Sequence, residues 1–358
     1  MPRALRIIGQ ALPRPSFLLV LACLVFGATL VACGSDKAED VGDGLQGVQN
    51  DFKGSDTRLK VATTVAPLTS IVLNVGGDRI RIHQLIPNGV DSHTFEPKPS
   101  DAQVLSRADL LIMNGAHLEG TTEKIAKENL PDPSKIYYLA DNTLQGDDEK
   151  TGFLYDFSFP KSEGDPNPHL WMNPQYARRY AALTLLWLSK NDPDNADYYQ
   201  RNFDAFADVL KRLDVAIAKD QQTVPAANRK LLTYHDSWAY WARLYGWKVI
   251  GAVQPSDFKE PSAKEVADLV TQIRNEHVPA VFGSEVFPSK TLEAIAKETG
   301  AKFEDRLRDD EPPGEVSSAS HTYVGMVVED MQIMLTALGG NADETSKIGA
   351  ANTFERAK

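Results

Sequence analysis

The sequence predicts an α/β protein of two open β/α lobes joined by one long rigid α-helix, with a cleft between the lobes. Three observations carry this. Short β-branched or apolar runs alternate with helical stretches, which is the pattern of a parallel sheet covered by helices. The alternation occurs twice, before residue 193 and after residue 223, with a single helical stretch between. Finally, 358 residues with 42% hydrophobic content are enough for two lobes.

Taken in order, the chain opens with Arg3, Arg6 and Arg14 ahead of an apolar run from Phe17 to Ala32. That run is shorter than the roughly 20 residues a spanning helix prefers and suits a secretory signal, so residues 1–32 read as a leader and the protein as exported. It ends in Leu30-Val31-Ala32-Cys33-Gly34, which resembles the bacterial lipobox. The resemblance implies lipidation of Cys33, an anchor on the cell membrane facing the periplasm or the exterior, and a mature chain whose only cysteine is the lipidated one. Disulfides and thiolate metal sites then drop out, leaving His, Asp and Glu as strong ligands. The formal charge of -11 argues against nucleic acid, which is bound through basic surfaces.

Residues 33–58 are rich in Gly, Ser and Asp and read as a flexible tether. The first lobe spans 59–193, where LKVATTV, DRIRIHQLI and ADLLIMNG are strand-like and PLTSIVLNVGG and PSDAQVLSR are helical. Residues 194–222 carry Tyr199, Phe203, Phe206, Leu210, Leu213 and Ile217 at helical spacing, one apolar stripe on one rod. The second lobe, 223–358, repeats the alternation through RKLLTY, SWAYWARLYG, WKVIGAV, PSAKEVADLVTQIRNEH, PAVFGSE, PSKTLEAIAKETG and AKFED.

In open α/β sheets ligands gather at the carboxyl ends of strands. His235 follows the strand RKLLTY directly, and His93 lies in the Pro- and Gly-punctuated loop after DRIRIHQLI. His169 stands between Pro168 and Pro174 in DPNPHLWMNP, and Asp305 ends the strand AKFE. A lone loop histidine is usually a solvated surface group, and a lone aspartate after a strand a turn former. Two from each lobe, however, is how a cleft would present four ligands to one ion, and imidazole with carboxylate suits a borderline cation.

The chain from about Leu59 to Gly340 resembles the metal-binding lipoproteins of bacterial ABC importers, the zinc and manganese solute-binding proteins of the cluster A-I type. SHTFEPKPSD, NPHLWMNP, YHDSWAYWARLYGWK, EPSAKEVADLVTQI, FEDRL and SHTYVGMV carry the resemblance. It implies that His93, His169, His235 and Asp305 bind the metal. Asp309 and Asp310 lengthen the segment around Asp305, and Glu285 is the alternative carboxylate. The histidine-rich loop common in zinc-type members is replaced by an acidic one, and His117 stands where the family has a small or apolar residue. His117 reads as a surface or cleft-edge group, and His83, His277 and His321 as structural or solvated, with His321 near enough to Tyr323 to line the cleft.

A histidine at position 235, where manganese-type members have glutamate, gives three nitrogens and one carboxylate and favours Zn2+, with Mn2+ or Fe2+ as alternatives. The expected role is capture of the ion and delivery to an ABC permease and its ATPase by a monomeric, non-enzymatic protein. Four protein ligands leave no coordination position for an activated water. A zinc hydrolase, which requires that Asp305 not be a ligand, and an adhesin are the competing readings.

Overall fold

The computed structural model describes residues 49–146, 151–256, 258–287 and 290–356. The predicted leader, Cys33 and most of the predicted tether lie outside them.

Each lobe is built on a four-stranded parallel sheet. The first holds β1 (Leu59–Thr63), β2 (Ile80–Gln84), β3 (Leu110–Met113) and β4 (Ile136–Tyr138) in the order β2-β1-β3-β4. The second holds β5 (Lys230–Thr233), β6 (Lys248–Ala252), β7 (Ala280–Ser284) and β8 (Lys302–Leu307) in the equivalent order β6-β5-β7-β8. Every residue of β3 and of β7 is buried, as expected of strands covered on both faces. In each sheet successive strands are added first on one side of the lobe's first strand and then on the other, and the crevice that this switch leaves at the carboxyl ends is where such folds bind ligands.

The covering helices are α1 (Ala66–Gly76), α2 (Pro99–Leu105), α3 (Gly120–Asn129) and α4 (Pro174–Asn191) in the first lobe. The second lobe has α6 (Ala239–Tyr245), α7 (Ala263–Glu276), α8 (Lys290–Thr299) and α9 (Tyr323–Ala337). Between them runs α5, Ala196–Asp220, about 37 Å long at 1.5 Å per residue. Its predicted stripe faces inward: Tyr199, Phe206, Leu210, Leu213 and Ile217 are buried, and Phe203 packs against the same core. Because α5 packs on α1 and α4 of the first lobe and α9 of the second, it is a shared wall. The C-terminal segment also returns to the first lobe, where Thr353 N–H donates to Asn74 Oδ1 of α1 at 2.8 Å and Glu355 N–H to Asn202 Oδ1 of α5 at 2.9 Å.

The tether reading of residues 49–58 needs correction. Phe52 is buried, Gln49 bridges to His83 of β2, and Arg81 Nη2 donates to Asn50 Oδ1 at 2.5 Å and to Lys53 O at 2.8 Å. One aromatic anchor and one buried arginine fix a segment whose overall composition is polar.

Candidate metal centre

The loop after β2 presents His93. Its backbone N–H donates to Asp91 Oδ1 at 2.9 Å and Thr94 Oγ1 donates to Asp91 Oδ2 at 2.9 Å, an Asx turn that shapes the loop. The half-buried ring stacks on Phe258 at 4.5 Å and lies 5.5 Å from Phe159.

His169 sits immediately before the short turn that leads into α4. Asn173 caps that helix by accepting from Gln175 N–H at 2.9 Å, with Pro174 at its first position. On the other side Asn114 Nδ2 donates to Pro168 O at 2.9 Å. Asn167 Oδ1 lies 2.8 Å from His169 Nδ1, and Asn167 Nδ2 reaches Asp236 O in the second lobe at 2.8 Å. Trp171 Nε1 also crosses the cleft, donating to Asp309 O at 2.8 Å. Pro168 and Pro174 with Asn167 and Asn173 therefore hold one fully buried imidazole.

His235 follows β5, and Thr233 Oγ1 donates to its carbonyl at 2.6 Å. Its Nδ1 lies 2.7 Å from Asp309 Oδ2, with both side chains almost wholly buried.

The three rings meet at their Nε2 atoms. His93 Nε2 is 3.3 Å from His169 Nε2 and 3.2 Å from His235 Nε2. Among the described residues these histidines form the one cluster of three or more potential ligands close enough to share an ion. Asn167 Oδ1 holds the proton of His169 at Nδ1, which leaves its Nε2 lone pair free to face a cation, and Asp309 at Nδ1 of His235 turns the Nε2 of that ring the same way.

Their electrostatics differ. Burial, reinforced by His235, pulls His93 and His169 well below the ordinary imidazole value, so both are neutral donors. Burial acts the same way on His235, but the Asp309 carboxylate outweighs it and pushes the imidazole up to about 10. Asp309 is correspondingly held below the usual carboxylate range, the charge of His235 outweighing burial. Asp310 is raised to about 7 by burial and then by the charge of Asp309, and it accepts from Ser92 Oγ at 3.1 Å.

Asp305 is not brought to the histidines. β8 does not stop at residue 305 but runs to Leu307, so Asp305 is a mid-strand residue on an edge strand. Its side chain is 63% exposed and lies 3.8 Å from Arg306. The carboxylates at the cleft are those of the turn that follows, Asp309 and Asp310. Glu285 shapes that turn: its Oε1 accepts from the backbone N–H groups of Asp309, Asp310 and Glu311 at 2.9–3.0 Å. His321 is buried with Nε2 3.0 Å from Asn88 Nδ2, His83 holds Asn50 O at 3.0 Å, and His277 ends α7 in a left-handed conformation. The supporting roles of Asn167, Trp171 and Asp309 carry no sequence signal beyond adjacency to a histidine or to the predicted aspartate.

Known proteins resemble this chain over the same span. A family model described as the periplasmic component A of a zinc-uptake complex matches residues 61–337. The metal ABC transporter substrate-binding lipoprotein FimA of Streptococcus parasanguinis is 27% identical over 288 residues, 79% of this chain and 85% of its own length. The iron-binding protein YfeA of Yersinia pestis is 28% identical over 78% of this chain and 86% of its own. The manganese ABC transporter substrate-binding lipoprotein PsaA of Streptococcus pneumoniae is 26% identical over 79% of this chain and 86% of its own. Among solved structures, the periplasmic zinc-binding protein TroA of Treponema pallidum superposes with a TM-score of 0.70 at 25% identity, covering 78% of this chain and 99% of TroA.

Proposed function

Because the chain belongs to the zinc-uptake component A family, a family of metal-binding ABC-importer proteins, we propose that it captures Zn2+ outside the cytoplasm and hands it to a membrane permease driven by an ATPase. The observation that carries this reading is the meeting of three imidazoles across two lobes, with His93 Nε2 3.3 Å from His169 Nε2 and 3.2 Å from His235 Nε2. Neutral imidazole binds borderline Zn2+ well and harder cations less well. The ion is cargo. It enters where His93 is half exposed, is held by His93, His169 and His235, and draws its remaining ligand from the Asp309–Asp310 turn, the position that the sequence assigns to Asp305.

Mn2+ or Fe2+ is the second reading. The carboxylates beside the histidines favour it, being harder donors, and relatives are named for those metals. Lipidation of Cys33 would keep the monomer beside its permease, and among the described residues no helix is long and apolar enough to cross a membrane. The test is metal analysis of the full chain, stripped with chelator and offered equal Zn2+, Mn2+ and Fe2+. One zinc per chain with the others excluded is the expected result. One manganese or iron in its place moves the protein to the second reading, and no metal at all removes the three-histidine centre.

A further inference from the structure

We propose that a second, outer cation site at the cleft mouth, built on His117 and Asp165, takes the incoming ion before the three histidines do. This rests on the three-histidine reading above. A cavity of about 200 Å³ opens at the mouth, lined among others by His93, Phe159, Phe258, His117, Glu163 and Asp165. One ligand of the inner centre therefore shares a wall with a histidine and two carboxylates that the inner centre does not use.

The two halves of this outer site come from different loops. His117 follows β3 in a turn whose shape is set by side chains: Ala116 N–H donates to Asp141 Oδ2 at 3.0 Å and Gly115 N–H to Glu119 Oε2 at 3.1 Å. Three successive residues, Gly115, Ala116 and His117, have φ between 50° and 81°, and the His117 side chain stands exposed on the wall of the cavity. Asp165 stands in the acidic loop ahead of His169, and its Oδ1 lies 3.1 Å from His117 Nδ1. Glu163 of the same loop accepts from Ser256 Oγ of the second lobe at 3.1 Å, so both lobes contribute to the wall of the mouth.

Both side chains of the pair are well exposed, 69% for His117 and 60% for Asp165. Such a pair offers one nitrogen and one oxygen while leaving a divalent ion most of its water. That combination suits brief capture of a hydrated cation rather than retention. Its product, a partly dehydrated ion, then faces the edge of His93.

A site on the path changes how fast the ion arrives and leaves without changing the inner equilibrium. The experiment follows Zn2+ uptake by the full chain in stopped flow, through the fluorescence of Trp171, whose ring is 5.1 Å from His169, and release by a chelator chase. His117→Ala and Asp165→Asn are each expected to slow uptake and release alike, by roughly fivefold, a modest share of the gain a focusing cleft gives. Their zinc dissociation constants should match the wild type. Asp305→Asn removes the same charge from the exposed flank of β8 and should leave both rates unchanged. Wild-type rates in the His117 and Asp165 variants would overturn the outer site, as would equal slowing in Asp305→Asn, which would mean net charge alone is at work. Faster release with weakened affinity would overturn it too, by making His117 part of the inner centre or of its support. A wild-type chain that takes no zinc would instead remove the three-histidine reading, and the outer site with it.

Discussion

The two lobes share one topology but meet the cleft with different chemistry. In the first, His93 and His169 meet aromatic rings and a neutral amide of their own lobe, Phe159, Trp171 and Asn167, with Phe258 of the second lobe stacked on His93. In the second, His235 is tied to Asp309, with Asp310 beside that residue and Glu285 beneath the turn. Equivalent strand orders thus deliver neutral donors from one side and charge from the other. A divalent ion held at the three Nε2 atoms would therefore take neutral donors from one lobe and charge compensation from the other.

The comparison breaks most visibly if a histidine from either lobe proves dispensable. Replacing His93, His169 or His235 with alanine removes a donor outright and should lower zinc affinity by more than the roughly 100-fold that loss of a supporting partner can cost. Calorimetric titration measures it. Unchanged binding in any one variant would take that residue out of the centre. His235→Glu should instead narrow the preference for zinc over manganese, because a hard oxygen replaces a nitrogen.

Next in size is the charge asymmetry itself. His235 is pushed up to about 10, so the metal-free protein carries a proton on this ring at pH 7, while His93 and His169 carry none. A metal at Nε2 must displace that proton. Binding is therefore expected to release about one proton, and affinity to rise about tenfold for each pH unit between 7 and 10. Titration in buffers of different ionisation enthalpy counts the protons. Asp309→Asn removes the cause: proton release should vanish, and zinc affinity should fall roughly 10- to 100-fold at pH 9, where proton competition is small and the lost support dominates. If Asp309→Asn still releases a proton, the asymmetry does not originate in that carboxylate.

Much of this arrangement is legible in the sequence. Strand and helix alternation is a property of local pattern, and the stripe from Tyr199 to Ile217 reports a helix face whatever surrounds it. The histidines are legible because they recur in loops at strand or helix ends of both halves of the sequence, an arrangement that no one of them would signal alone. The acidic partner is not, since a run of Asp305, Asp309 and Asp310 fits several strand endings and the one adopted depends on pairing between β7 and β8, which shifts register near Ser284. The ordered segment at Gln49–Arg58 is hidden for a similar reason: its anchor is Phe52 meeting Arg81, a contact between distant residues in a stretch of polar composition.

A smaller effect is expected where the second lobe shapes its turn rather than charging it. Glu285→Ala leaves the N–H groups of Asp309, Asp310 and Glu311 without their acceptor, at about 1–3 kcal/mol of stability for buried donors left unpaired. Denaturant unfolding of the metal-free protein should report that loss, and zinc affinity should fall about tenfold through a loosened Asp309, the low end of what supporting residues cost. Full affinity with normal stability would show that the turn holds its shape without Glu285.

The smallest expected effect is at Asp305, and it decides which carboxylate the second lobe brings to the cleft. On the sequence pattern alone Asp305→Asn removes a ligand and should weaken zinc by orders of magnitude. In the structure β8 continues through Leu307, and on that edge strand the Asp305 side chain is 63% exposed beside an equally exposed Arg306. An exposed pair of this kind contributes between nothing and about 1 kcal/mol, so zinc affinity and stability should both stay within about twofold of wild type. Asp309→Asn and Asp310→Asn, measured in the same titration, supply the contrast: each removes one negative charge, as Asp305→Asn does, but from a buried position next to the histidines. A large loss at 305 with none at 309 or 310 would mean that the metal-bound strand ends two residues earlier than the metal-free one, and that the second lobe re-pairs its edge strand on binding. The expected order, a large effect at 309 and none at 305, keeps the charge of the second lobe where Glu285 has built its turn.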